Sequence, residues 1–337
     1  MHMIFPRGPT DGPLTRRACI AGAIASLLTV HAGAATKVYR VGVLDADTTG
    51  DWIEDWNEFV RELARLGFVE GRSIVFERRF GDELQPEDVR KNAAELVALK
   101  VDLIYAARGT LTALVAKNAT RSIPIVFYSS ADPVGLGLVP SLSRPIGNVT
   151  GNSISSFEFF PKNLQYLSEI AGKLERVVEI TPPGTKLLPW FPPWDAAIQA
   201  AVKRLGIRFE YVEVESIEAL EVAVKRLKVE GTDAVAISGR DWLKAHQKRI
   251  AALLISLRIP SLGEPEDGFL LQYGIDGSYL ARKAAGYVAR ILNGTKPSEL
   301  PVEQVSQFNL VVNQKTADAI GLKIPVSMLL RASKVIR

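Results

Sequence analysis

The chain has 337 residues, 47% of them hydrophobic and 23% charged, with a formal net charge of +4. That length suits two domains of ~150 residues each, and no Lys/Arg run tracks a phosphate backbone, which argues against a nucleic-acid partner. One cysteine and three histidines leave little material for disulfides, thiolate chemistry, zinc sites or a Ser-His-Asp triad.

The first element in chain order is a leader. Arg16 and Arg17 precede an apolar run from Ala18 to Val30, and Ala32-Gly33-Ala34 follows. A positive flank, a short apolar core and an A-x-A site are the layout of a secretory signal peptide over residues 1–34. The run is shorter than the ~20 apolar residues of a membrane-spanning helix. Thr15-Arg16-Arg17 fits twin-arginine export, but a Sec signal also carries arginine pairs, so both routes stay open. Cleavage after Ala34 removes Cys19 and leaves 303 residues, 38 basic and 36 acidic. The expected product is periplasmic and not membrane-spanning. Its one imidazole, His246, reads as a solvated residue on an exposed helix.

Strand and helix patterns then alternate. Val38–Leu44 reads as a strand, and Trp52–Leu66 as a helix with Trp52, Trp56, Phe59, Val60, Leu63 and Leu66 on one face. Strands at 73–80, 102–106 and 123–128 interleave with helices at 86–99 and 111–118. The rhythm restarts after Gly151. Helices are expected at 161–171, 194–205, 217–229 and 242–257, and strands at 177–181, 207–214, 234–238 and 259–262. The tail adds strands at 269–273 and 308–312 and helices at 279–292 and 315–320. Two such arrays in series predict two α/β lobes with mostly parallel sheets.

The stretch Ile123–Ser153, IPIVFYSSADPVGLGLVPSLSRPIGNVTGNS, resembles the ABC-transporter substrate-binding family that includes tryptophan/tyrosine-type binding proteins. The same likeness continues through Leu271-Gln-Tyr-Gly274, Ala284–Pro297, Leu300–Gln304, Phe308–Asn313, Thr316–Pro325 and Leu329–Ala332. The resemblance implies a type I periplasmic binding fold: two Rossmann-like lobes joined by a three-strand hinge, with ligand in the cleft. The expected lobes are 36–149 plus 268–305, and 150–267 plus 306–337. Crossings are expected at Asn148–Gly151, near Gly268 and over Glu303–Phe308. Gly147 and Gly151 suit a hinge, or are ordinary loop glycines.

In open α/β sheets ligand lies beyond the carboxyl ends of the strands. Those ends nominate Asp45, then Arg108, Gly109 and Thr110, then Ser129, Ser130 and Asp132. In the second lobe they nominate Trp190 and Ser238, with Tyr273 on the returning segment. Gly109-Thr110 matches the family's Gly-Thr at a helix start, where a carboxylate is favoured; Thr110 can equally be a helix cap. Arg108 stands where the family commonly has a small residue. It either clamps a carboxylate with two parallel bonds or pairs with Asp45 or Asp47. Asp132 before Pro133 reads first as a cap. Trp190-Phe-Pro-Pro-Trp194 replaces a polar loop of the family, and its indoles either stack on an aromatic ligand or cover the lobe surface.

The resemblance therefore implies the solute-binding component of an ABC importer. Its ligand would be a small carboxylate with an aromatic or apolar body, delivered by a monomer to an inner-membrane ABC permease with its ATPase. No cofactor, metal or catalytic residue is expected. A periplasmic sensing subunit is the alternative. An α/β enzyme is disfavoured, because Leu44-Asp-Ala-Asp-Thr-Thr-Gly50 lacks G-x-G-x-x-G and no Walker loop appears.

Overall fold

β-branched runs too short to be helices, separated by longer amphipathic stretches, set the order of elements. The computed structural model describes residues 37–46, 53–130, 132–154, 156–238, 241–305 and 307–337. The leader, Asp47–Thr49 and Trp52 lie outside the described residues. The first array is β1 (Tyr39–Asp45), α1 (Ile53–Arg65), β2 (Ile74–Phe80), α2 (Pro86–Ala98), β3 (Leu103–Ala107), α3 (Thr110–Ala119), β4 (Ile125–Ser130) and β5 (Val149–Ser153). The second begins with α4 (Ser156–Ala171), β6 (Arg176–Thr181), α5 (Phe191–Leu205), β7 (Arg208–Glu213), α6 (Ile217–Val229) and β8 (Ala234–Ile237). It continues through α7 (Asp241–Ala245), α8 (Gln247–Ser256), β9 (Ser261–Leu262) and β10 (Leu271–Ile275). The tail carries α9 (Gly277–Leu292), β11 (Glu303–Gln304), β12 (Phe308–Asn313), α10 (Gln314–Ile320), α11 (Val326–Arg331) and β13 (Lys334–Ile336).

Among the described residues these strands form two sheets, ordered β11-β5-β4-β3-β1-β2 and β13-β12-β10-β9-β8-β6-β7. The first is parallel throughout, and in the second only the β10–β12 pair is antiparallel. Helices cover both faces of each sheet, so its central strands are apolar on alternate and intervening positions alike. Leu103 and Tyr105 of β3 face the layer of α1 and α9, while Ile104 and Ala106 face that of α2 and α3. In β6, Val177 and Val178 divide in the same way between two layers. No helix of the described residues is long and apolar enough to cross a membrane.

By strand membership the chain passes between sheets after Ser153, after Ile275 and between Gln304 and Phe308. Residues 150–153, expected in the second lobe, thus belong to the first sheet. Leu271–Ile275, expected in the first lobe, is a strand of the second, because its backbone pairs with β12 and β9. The second crossing moves from Gly268 to 275–277.

Two further expectations change. Trp190–Trp194 is no loop: Phe191 opens α5, with Pro192 and Pro193 in its first turn, where a missing N–H costs nothing. The helix expected over 242–257 breaks at His246. That ring is half-buried, and its Nδ1–H donates to the carbonyl of Trp242 at 2.8 Å.

Gly151 is needed for a close approach. A Cβ there would lie 2.1 Å from the carbonyl oxygen of Phe127 on the adjoining strand, a clash of backbone against backbone. Gly151→Ala should therefore lower stability by about 2–3 kcal/mol. A fall in the urea midpoint at unchanged m-value reports it; an unchanged midpoint contradicts it.

Candidate functional site

The carboxyl ends of β1, β3 and β4 lie side by side. Asp45 pairs in register with Ala107 and is buried; its carbonyl accepts the amide of Gly81 at 2.9 Å. Directly after Ala107, Arg108 adopts φ +52° and Gly109 φ +96°. A left-handed non-glycine residue is a strained choice, and here it ends β3 abruptly and starts α3 at Thr110. Thr110 is buried at that helix start, and Gly109 occupies the cap position without a side-chain hydrogen bond. Thr112 binds the strand-end carbonyls instead, its hydroxyl donating to Ala107 at 3.0 Å.

Asp132 acts as a cap. Its Oδ1 accepts from the amides of Gly135 at 2.8 Å and Val134 at 3.2 Å. Ser129 and Ser130 end β4, with Ser130 opposite Ser153 across a register shift; their side chains lie outside the described residues. Ser238 follows β8, buried, its amide donating to Ile180 at 3.0 Å. Tyr273 turns its ring into a group with Tyr166, Phe308 and Phe159, at centroid distances of 5.4, 5.7 and 6.3 Å. Both its backbone polar groups bind the Asn163 amide at 2.7 Å. Trp190 is only 7% exposed, and its Nε1–H donates to Oε1 of Glu83 at 2.9 Å.

The sequence reading missed a second charged centre, one that feels the charge of Arg108. Tyr128 of β4 donates its hydroxyl to Oδ2 of Asp55 at 3.1 Å, with the carbonyl of Gly277 at 3.4 Å as a second acceptor. Asp55 comes from the first turn of α1 and Gly277 from the start of α9. A Cβ on Gly277 would fall 2.5 Å from Oδ1 of Asp55, so only glycine admits the carboxylate there. Burial pushes the Asp55 carboxyl above its ordinary value, against the pull of the Arg108 charge and the Tyr128 hydroxyl. Asp276 and Glu54 push it the same way as burial. Burial also raises Tyr128 well above the usual phenol value, with the Asp55 charge next, so its hydroxyl stays a neutral donor.

Asp55 opens onto a cavity of about 560 Å³ lined by Glu54, Asp276, Gly277 and Ser278 on one side and by Glu264, Gln272, Gly274 and Asn309 on the other. Lys244 and Lys334 reach the same space, Lys334 paired to Glu266 at 2.8 Å. Gln272 donates to Glu264 at 2.9 Å. Alternation along β10 sends Gln272 and Gly274 to the cavity and Tyr273 to the opposite face of the sheet. The cavity gathers the carboxylates of Glu54, Asp55, Glu264 and Asp276 with the ammonium groups of Lys244 and Lys334; Arg108, whose charge is felt at Asp55, is not among its lining residues.

A carboxyl whose folded pKa is raised favours its protonated form in the fold. The stability it contributes is complete below the unfolded value near ~4 and is lost as pH rises through the raised folded value. Asp55→Asn should therefore raise the Tm of the ligand-free protein at pH 7 and leave it nearly unchanged at pH 4. Thermal unfolding at the two pH values tests this; a variant less stable at pH 7 contradicts it.

Residues 62–336 match the model of the ABC transporter substrate binding protein family. A tyrosine-binding protein of Clostridioides difficile (strain R20291) is 26% identical over 278 residues, 79% of this chain and 76% of that protein. The structure of a conserved domain protein from Vibrio cholerae superposes with a TM-score of 0.77 at 23% identity, covering 89% of this chain and 100% of the other. An ABC domain from Streptococcus pneumonia in complex with L-Trp does so with a TM-score of 0.73 at 22% identity, again covering 89% and 100%. These neighbours share the two-lobed α/β architecture, the type I periplasmic binding fold. With the family model spanning both lobes, the chain belongs to the ABC transporter substrate-binding proteins.

Proposed function

We propose that this protein is the periplasmic solute-binding component of an ABC importer, and that its ligand is an amino acid or related zwitterion with an aromatic or apolar body. The observation that carries the reading is the half-buried Asp55 carboxyl, held between the Tyr128 hydroxyl and the start of α9 and open to the cavity, with the Arg108 charge acting on it from the end of β3. A carboxylate at the N-terminus of α3 gains the Arg108 guanidinium and the helix amides together. An ammonium beside Asp55 favours its charged form and offsets the burial that opposes it. The relatives add support, since one is named for tyrosine and another holds L-Trp. Membership in a substrate-binding family supports the partners, a permease with its ATPase, and an extracytoplasmic place of work.

The mechanism is closure of two lobes on ligand, with no bond chemistry. A ligand touching both lobes favours the closed state by its differential affinity. The crossings at Ser153, Ile275 and Gln304–Phe308 are short segments at element ends, the kind that absorb hinge rotation.

Calorimetric titration of the purified protein with tyrosine, tryptophan, their decarboxylated amines and their deaminated acids tests the charge requirement. The amino acids should bind at least tenfold more tightly than either truncated series. Arg108→Ala should weaken amino-acid binding by about 10- to 100-fold, the worth of one charge-assisted bond. Amines binding as tightly as the parent amino acids would overturn the Arg108 role.

A further inference from the structure

We infer that Trp190 and Glu83 form a latch between the lobes that holds the cleft closed without ligand. The two residues belong to different sheets. Glu83 lies in the loop after β2 of the first lobe, and Trp190 caps α5 of the second. Their hydrogen bond, Nε1–H to Oε1 at 2.9 Å, exists only while the lobes are together. It also sits inside an apolar contact that crosses the cleft. Leu84 and Leu136 of the first lobe lie against the buried Leu188, Trp190 and Phe191 of the second. The side chain of Leu84 comes within 4.0 Å of where a Cβ on Gly184 would stand. Opening the hinge would break a bond to a buried indole N–H and wet this cluster, and both changes oppose opening.

The indole is held ready for this contact. Phe191 and Trp194 meet it edge to face at 6.1 and 6.3 Å, and Pro192 and Pro193 fix the backbone that follows. Glu83 is held near the ligand-facing helix start, its Oε1 3.6 Å from the Cβ position of Gly109. Trp190 thus has a task that needs no ligand ring. The inference rests on the two lobes moving as proposed above, but on no particular ligand.

Small-angle scattering of protein freed of solute by unfolding and refolding tests it. The wild type should give the closed profile of this structure. Trp190→Phe keeps a ring but loses the donor, and should shift the profile to a larger radius of gyration. Glu83→Gln keeps an acceptor oxygen and should stay closed, while Glu83→Ala should open. Glu83 lies in a surface loop, so its variants remain informative if the tryptophan variant fails to fold. A wild type that is open without ligand overturns the latch, as do Trp190→Phe and Glu83→Ala profiles identical to the wild type. Because no ligand enters the measurement, failure of the zwitterion reading would leave this result untouched.

Discussion

The approach of the Asp55 carboxyl to the start of α9 is the contact on which the rest of the site depends. It joins α1, which follows β1, to the segment that returns from the second sheet through β10. Tyr128, at the end of β4, closes the triangle through its hydroxyl. Three chain segments far apart in sequence are thereby fixed at one edge of the first sheet, beside a crossing between lobes. The geometry tolerates no side chain at Gly277. It also leaves a carboxyl partly dehydrated, which costs free energy unless a positive charge arrives. Arg108 supplies part of that charge, and its left-handed backbone is the local strain accepted to turn the chain there.

On the proposed reading, a cleft with one such centre discriminates by charge before it discriminates by shape. Removing the ligand's ammonium leaves Asp55 with burial and two neighbouring acids to bear. Removing a ligand carboxylate would leave Arg108 and the first amides of α3 without the anion proposed to sit between them. Both losses bear on the closed state, in which water is excluded and charges interact most strongly. The apolar seam around Trp190 acts in the same state by other means. It adds a constant preference for closure, while the charged pair adds one that depends on the ligand. The balance of the two sets how far an empty cleft already resembles a loaded one.

Much of the architecture was legible in the sequence, because parallel strands buried on both faces read as short β-branched runs between amphipathic helices. Sheet membership near the hinge was harder to read. Val149–Ser153 contains Gly151 and three polar residues, and nothing in its pattern distinguishes a strand from a crossing. The strand read at 269–273, found at Leu271–Ile275, joins the second lobe by pairing with β12, which the sequence pattern does not show. The two prolines after Trp190 suggested a loop, although the same prolines fit the first turn of a helix. At the candidate site, strand ends pointed to Arg108, Gly109 and Thr110, none of which is among the residues lining the cavity beside Asp55. Asp55 left a signal of its own: an acid at the spacing of the apolar face that runs through Trp52, Trp56 and Phe59. Its meaning depended on Tyr128 and Gly277, which only folding brings near.

The central claim is that a ligand ammonium settles beside Asp55 and favours its charged form against the burial that opposes it. Calorimetry of tyrosine or tryptophan binding at a series of pH values from about 4 to about 7, in buffers of different ionisation enthalpy, reads this directly as protons released per ligand bound. The account predicts net proton release that disappears in Asp55→Asn, together with a loss of affinity. Binding without proton exchange in the native protein, or undiminished affinity in the variant, would contradict it.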